Sequence, residues 1–225
     1  SFARLNKIPY SNLIFDNFIG NILIAWSKAE QGYKEESFKI IEKIPAAYFH
    51  LKRTQDIFLK CYFDSQDVEQ SFEELVDDDT HNFSRYNFFL INYLLSNQKL
   101  VKAEKVIKKS RKQYSANLLL KQTEVFFKNN EIKKITDFFN CKNPQDSMAE
   151  FFYVIANLYA SEKNYKLSNF YLKISLFLNE NFLSNKALLA ENFYYLKNQK
   201  KSKKNYSSLK PLGSVYAWYA SKNIA

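Results

Sequence analysis

Glycine and proline are almost missing from this 225-residue chain, which has 3 Gly and 4 Pro. So few breakers leave room for little loop, and they exclude a glycine-rich phosphate loop. Histidine is equally scarce. His50 and His81 lie at or near the ends of helical segments, and neither has a Cys or a second His at ligand spacing, which favours a loop or helix-start role over a metal site. Cysteine is limited to Cys61 and Cys141, 80 residues apart, too few for a disulfide framework. Both stand among apolar neighbours (Leu59-Lys60-Cys61-Tyr62-Phe63 and Phe138-Phe139-Asn140-Cys141) and read as small core residues that leave the compartment open. No apolar run is long enough to span a bilayer, and Phe18 to Trp26 fits the first helix of a helix pair. No secretory signal precedes it, but the chain starts at Ser1 rather than Met, as expected of a processed chain or a piece of a longer one. No Ser, Cys or Thr has a nucleophile-elbow context. Asp77-Asp78-Asp79 lacks the alternating ligands and central glycine of a calcium loop. Glu73 and Glu74 are adjacent, so on a helix they face different ways. No catalytic residue, cofactor or metal is expected.

What is present is a repeat. A small residue followed four positions later by a large apolar one recurs at Ser37/Ile41, Ser71/Leu75, Ala103/Ile107, Ser168/Leu172 and Ser202/Tyr206, with a degraded copy at Ile135/Phe139. The first members stand 34, 32, 32, 33 and 34 residues apart. A helical pattern with that period predicts stacked helix pairs. The clearest copy is 149–182. There Phe152, Ile155, Ala156 and Tyr159 share one helical face, Glu162-Lys163-Asn164-Tyr165 makes the turn, and Ser168, Leu172 and Ser175 mark the second helix. Small residues let the two helices approach, and bulky ones fill the space between neighbouring pairs. The copy at 116–148 is the weakest, with Gln122, Thr123 and Ile135 where small or apolar residues are expected. Gly32 marks a helix stop. Pro45, Pro144 and Pro211 lie between pairs, where proline starts a helix without interrupting one.

The expected architecture is all-α: a right-handed α-solenoid of stacked antiparallel helix pairs. Residues 1–17 form an irregular tail or the end of a preceding repeat. Units follow at about 18–48, 49–83, 84–115, 116–148, 149–182 and 183–210, with a lone helix at 211–225. The apolar face of that last helix is expected to be covered by further chain or by another copy, through end-to-end self-association.

Charge is uneven. Residues 1–80 carry 9 Lys/Arg and 14 Asp/Glu, a net −5, whereas residues 81–225 carry 24 and 9, a net +15. Lys99, Lys102, Lys105, Lys108, Lys109, Arg111 and Lys112 form a stripe along one second helix, and Lys197, Lys200, Lys201, Lys203 and Lys204 cluster at one turn. Such a half can attract nucleic acid, anionic lipid or an acidic protein. The plainer reading is a lysine-coated outer surface, because the aromatics fall on repeat core positions instead of lying among the charges as base stacking requires.

The repeat resembles the tetratricopeptide family over about 18–225. Leu23-Ile24-Ala25-Trp26 with Gln31-Gly32-Tyr33, Ala149-Glu150-Phe151-Phe152 and Leu189-Ala190-Glu191 are similar to a group of proteobacterial proteins of that family. The resemblance implies a non-enzymatic protein-interaction scaffold whose first helices line a concave groove. Carried over position by position, the groove residues are Arg53, Asp56, Lys60, Phe63, Arg85, Phe88, Asn92, Asn117, Leu120, Glu124, Phe127, Tyr153, Asn157, Glu191 and Tyr194. Asn92 and Asn157 fall where related domains hold a ligand backbone. Phe88 and Tyr153 replace the lysines of a carboxylate clamp, which argues against recognition of an acidic chain terminus. The implied partner is a protein or peptide. Members of the group often carry an export signal, which implies a periplasmic location, with the cytoplasm as the alternative. A nucleic-acid-binding helical repeat, or an assembly segment of a larger envelope protein, are the alternative functions.

Overall fold

A computed structural model describes residues 14–78 and 83–224. The described residues hold thirteen α-helices, two 3-10 turns and no strand. The helices are α1 (Ile14–Glu30), α2 (Lys34–Glu42), α3 (Phe49–Tyr62), α4 (Val68–Val76), α5 (Tyr86–Ser96), α6 (Leu100–Gln113), α7 (Leu118–Lys128), α8 (Ile132–Thr136), α9 (Pro144–Ser161), α10 (Tyr165–Leu178), α11 (Leu183–Tyr195), α12 (Gln199–Ser207) and α13 (Ser214–Ile224). The all-α expectation holds. Of the irregular tail expected at 1–17, residues 1–13 lie outside the described residues, as does His81, and 14–17 instead open α1.

Twelve helices pair into six hairpins, and the repeat is written most plainly in their turns. Each turn places one residue in the left-handed region: Gly32, Asp64, Gln98, Asn130, Lys163 and Lys197, with φ between 52° and 83°. Every one donates its N–H to the carbonyl three residues back, and the next residue donates to the carbonyl five back. Lys163 thus bonds Ala160 and Asn164 bonds Tyr159, as Gly32 bonds Ala29 and Tyr33 bonds Lys28. This Schellman geometry satisfies the last carbonyls of each first helix and reverses the chain. Asn164 and Asn198 then cap the following helices through their side-chain oxygens.

The period-defining positions are all inside. Ser37, Ser71, Ala103, Ile135, Ser168 and Ser202 are buried, as are Ile41, Leu75, Ile107, Phe139, Leu172 and Tyr206. The buried serines do more than leave room. Ser175 Oγ donates to the Ala149 carbonyl, Ser202 Oγ to that of Ala190, and Ser168 Oγ accepts from Asn192 Nδ2.

The chain also makes contacts that a straight array does not. In a solenoid each repeat touches its neighbours only. Here α9 packs on α1 and α3, and α13 on α7. Phe18 meets Phe151 edge-on at 5.4 Å. The two cysteines, read from sequence as separate small core residues, form a disulfide, Cys61–Cys141, with Cα atoms 5.9 Å apart. The reason lies in α8. It has only five residues, so irregular chain follows it early and carries Cys141 back to α3. Two sulfur positions in different repeats gave no local sign of meeting.

The last helix is not bare. Tyr216 and Ala220 are buried in a cluster with Leu183, Ala190 and Tyr206. The Val215 N–H donates to Gln122 Oε1 at 2.9 Å. Gly213 allows this approach: its φ is 138°, and a Cβ there would fall 2.3 Å from the Gln122 side chain. Trp218 stays 60% exposed.

Candidate functional site

The first helices of five hairpins and the unpaired last helix surround a cavity of about 830 Å³. Its wall takes His50 and Leu51 from α3, Tyr86 from α5, Leu118 and Leu119 from α7, Tyr153, Val154, Asn157 and Leu158 from α9, Ser184, Ala187, Leu188 and Glu191 from α11 and Tyr216 from α13. The segments leading into α3 and α5 add Tyr48, Phe83 and Arg85. No second helix contributes a lining residue. Helices joined by tight turns alternate between an inner and an outer layer, so every other one faces the interior.

Arg85 and Glu150 form the floor. The Arg85 Nε and Nη2 groups each donate to a Glu150 carboxylate oxygen at 2.7 Å, and Nη1 donates to Ser184 Oγ at 2.8 Å. The Tyr153 and Phe182 rings cover the guanidinium at 4.1 and 4.9 Å. Glu150 is fully buried. Burial raises its carboxyl above the ordinary range, and the Arg85 charge opposes that rise. Burial also pulls the Arg85 guanidinium down, but the Glu150 charge and the Tyr153 ring more than reverse this, so it stands above its ordinary value. A bidentate pair at this burial orients two helices firmly. Removing one member would leave a buried charge unmatched, at a cost of about 3–5 kcal/mol.

Around the floor, burial raises the Tyr86, Tyr153 and Tyr216 phenols. The Tyr219 phenol is raised by burial and by the Glu191 carboxylate, to which its hydroxyl donates. Asn117 Oδ1 accepts the Leu120 N–H and caps α7. Asn157 is exposed, and its side-chain amide makes no hydrogen bond among the described residues.

Of the groove residues expected from sequence, Arg85, Asn117, Tyr153, Asn157 and Glu191 come together in this wall. Others do not. Phe88, Asn92 and Leu120 are buried in the core. Phe88 packs on Phe89 and Phe138, and the Asn92 amide donates to the Ile135 carbonyl at 3.0 Å, so it holds α8 instead of a ligand. The position-by-position transfer fails there because α8 and α13 cover α5 and α7. Arg53 pairs with Asp78, and Lys60 with Asp56 and Asp67. Phe63 packs on Phe38 and Tyr62. Glu124 is held by Arg111 and Lys128. Phe127 is part-buried against the core. Tyr194 is 62% exposed and meets Tyr195 edge-on. Sequence reasoning missed His50, Tyr48, Phe83, Tyr86, Leu188 and Tyr216. Arg85 at its repeat position and Glu150 within the apolar run Ala149 to Phe152 were the available signs of the floor.

The basic stripe on α6 is largely neutralised. Lys99 and Lys102 both reach Glu69, Lys108 reaches Glu104, Lys109 reaches Asp77, and Arg111 reaches Glu124. The opposite charges of the two halves therefore meet where α6 lies beside α4. The lysines at 197–204 stay exposed.

Comparison with protein-family models, with curated proteins and with solved structures finds no match to this chain.

Proposed function

We propose that this chain is a non-enzymatic interaction scaffold, a tetratricopeptide-like superhelix that receives a peptide or a segment of a partner protein in its central cavity. The observation that carries the reading is the origin of the wall: the first helices of five hairpins, the unpaired last helix and no second helix line one space of about 830 Å³. That is the arrangement in which a helical array presents a continuous inner surface. Apolar side chains of the cavity would take side chains of a bound segment, and Asn157 has the free amide that an extended backbone would use. The neutralised stripe on α6 speaks against a phosphate-binding face there. The Cys61–Cys141 disulfide supports an oxidising compartment, in keeping with the periplasmic expectation.

The test is selection of peptides from a displayed random library, followed by hydrogen exchange. Bound peptide should slow exchange in α9 and α11. Asn157→Trp, at an exposed position, should fill the cavity and weaken binding at least about tenfold without loss of helicity. Peptides that bind this variant as well as wild type would refute the proposal.

A further inference from the structure

We propose that the cavity selects a peptide segment bearing a positive charge, with Glu191 as the opposing charge. The inference rests on the scaffold reading above. Two charged residues, Arg85 and Glu191, stand in the lining among the described residues. They are not equivalent. Arg85 is committed to Glu150 through two donors and to Ser184 through a third, and aromatic rings cover its plane. It presents no free fork to an incoming carboxylate. Glu191 has no cation against it among the described residues, and its polar contact is the Tyr219 hydroxyl. The Arg85 charge is matched by Glu150 below, so the uncompensated sign at the wall is negative.

The rest of the wall suits the same ligand. Tyr48, Tyr86 and Tyr216 bring aromatic rings to the cavity, and such rings attract an ammonium or guanidinium group at their faces. Leu51, Leu158 and Leu188 provide apolar surface for the aliphatic stem that carries such a group. The protein as a whole carries a net charge of +10. Its overall field therefore attracts acidic chains, and the cavity has the opposite preference. That conflict of sign makes the proposal decidable.

Three synthetic peptides of about ten residues share one leucine-serine framework and carry two lysines, two glutamates or neither. Each is titrated by fluorescence anisotropy at physiological salt against the full chain, as wild type, Glu191→Gln and Asn157→Trp. Glutamine keeps an acceptor for the Tyr219 hydroxyl, so Glu191→Gln removes charge and spares the fold. The lysine peptide is expected to bind wild type about tenfold tighter than the glutamate peptide. Glu191→Gln is expected to cut that preference below about threefold, and Asn157→Trp to abolish binding. Equal affinities, or preference for the glutamate peptide, would overturn charge selection and leave the scaffold reading standing. A lysine preference that survives Glu191→Gln or Asn157→Trp would place the selecting surface elsewhere and overturn the inference. If none of the three binds wild type, charge selection falls, and the library selection decides the scaffold reading.

Discussion

Two adjacent repeats differ in how much of their own packing holds them. Repeat 149–182 pairs an 18-residue helix with one of 14, and its small and apolar positions close on themselves, with Ile155, Ala156, Ser168 and Leu172 all at 0% exposure. Repeat 116–148 pairs 11 residues with five, and has Gln122, Thr123 and Ile135 at the corresponding sites. With less packing of its own, it relies on ties from outside. Cys141 is bonded to Cys61, Gln122 receives the Val215 N–H, Asn92 reaches the Ile135 carbonyl, and Asn179 reaches that of Phe138. Where the repeat's own packing decays, distant parts of the chain supply polar and covalent ties. The degraded copy is therefore one place where the array folds back on itself, beside the packing of α9 on α1 and α3.

The largest break should come from the intact side. Glu150→Ala removes the match for Arg85 and should cost about 3–5 kcal/mol of unfolding free energy by denaturant titration. Glu150→Gln, which keeps one acceptor, should cost less. Next, Cys61→Ala/Cys141→Ala opens a link across 80 residues and should cost about 3–4 kcal/mol. Exchange should rise first in α8 and the chain after it. An unchanged pattern there would show that the polar ties alone hold the weak repeat.

A smaller effect tests the two repeats at one equivalent site. Ser168→Leu should overpack the close approach of α9 and α10 and cost about 1–3 kcal/mol. Ile135→Leu, at the same repeat position, should cost under about 1.5 kcal/mol, because that site already holds a branched chain. Equal losses would dissolve the contrast.

The smallest effect lies at the seam between them. Burial pushes the Asp146 carboxyl up to about 6, partly offset by the Asn140 N–H and by Asn143 and Asn179. The folded state thus holds this proton more tightly than the unfolded chain. The associated stability is full below pH 3.8 and is lost as pH rises through 6. Asp146→Asn should flatten the stability profile between those limits by about 1–2 kcal/mol, the roughly 3 kcal/mol of the full shift being reduced by screening from the solvent that still reaches the group, read from melts across that range.

Much of the fold was legible because a helical period is a local signal. The small and large positions from Ser37 to Tyr206 named the interior of six hairpins without any knowledge of how the hairpins meet. The turns were less visible, since only one of six left-handed positions is Gly; Asp64, Gln98, Asn130, Lys163 and Lys197 adopt the same conformation without advertising it. The site was legible in part. Arg85, Asn117, Tyr153, Asn157 and Glu191 followed from repeat position, because each lies on a first helix or at its start, facing inward. Asn92 and Leu120 did not, because burial there depends on α8 and α13, which approach from far along the chain. The disulfide was illegible for the same reason.

The disulfide also has a mechanical consequence. A hairpin array drawn out from its two ends would ordinarily unravel along its whole length. With Cys61 joined to Cys141, the force bypasses everything between them. Roughly 270 Å of contour, 80 residues at about 3.4 Å each, cannot be paid out until the bond is reduced. Under tension the middle of the molecule behaves as a shackle, and extension falls to the repeats on either side.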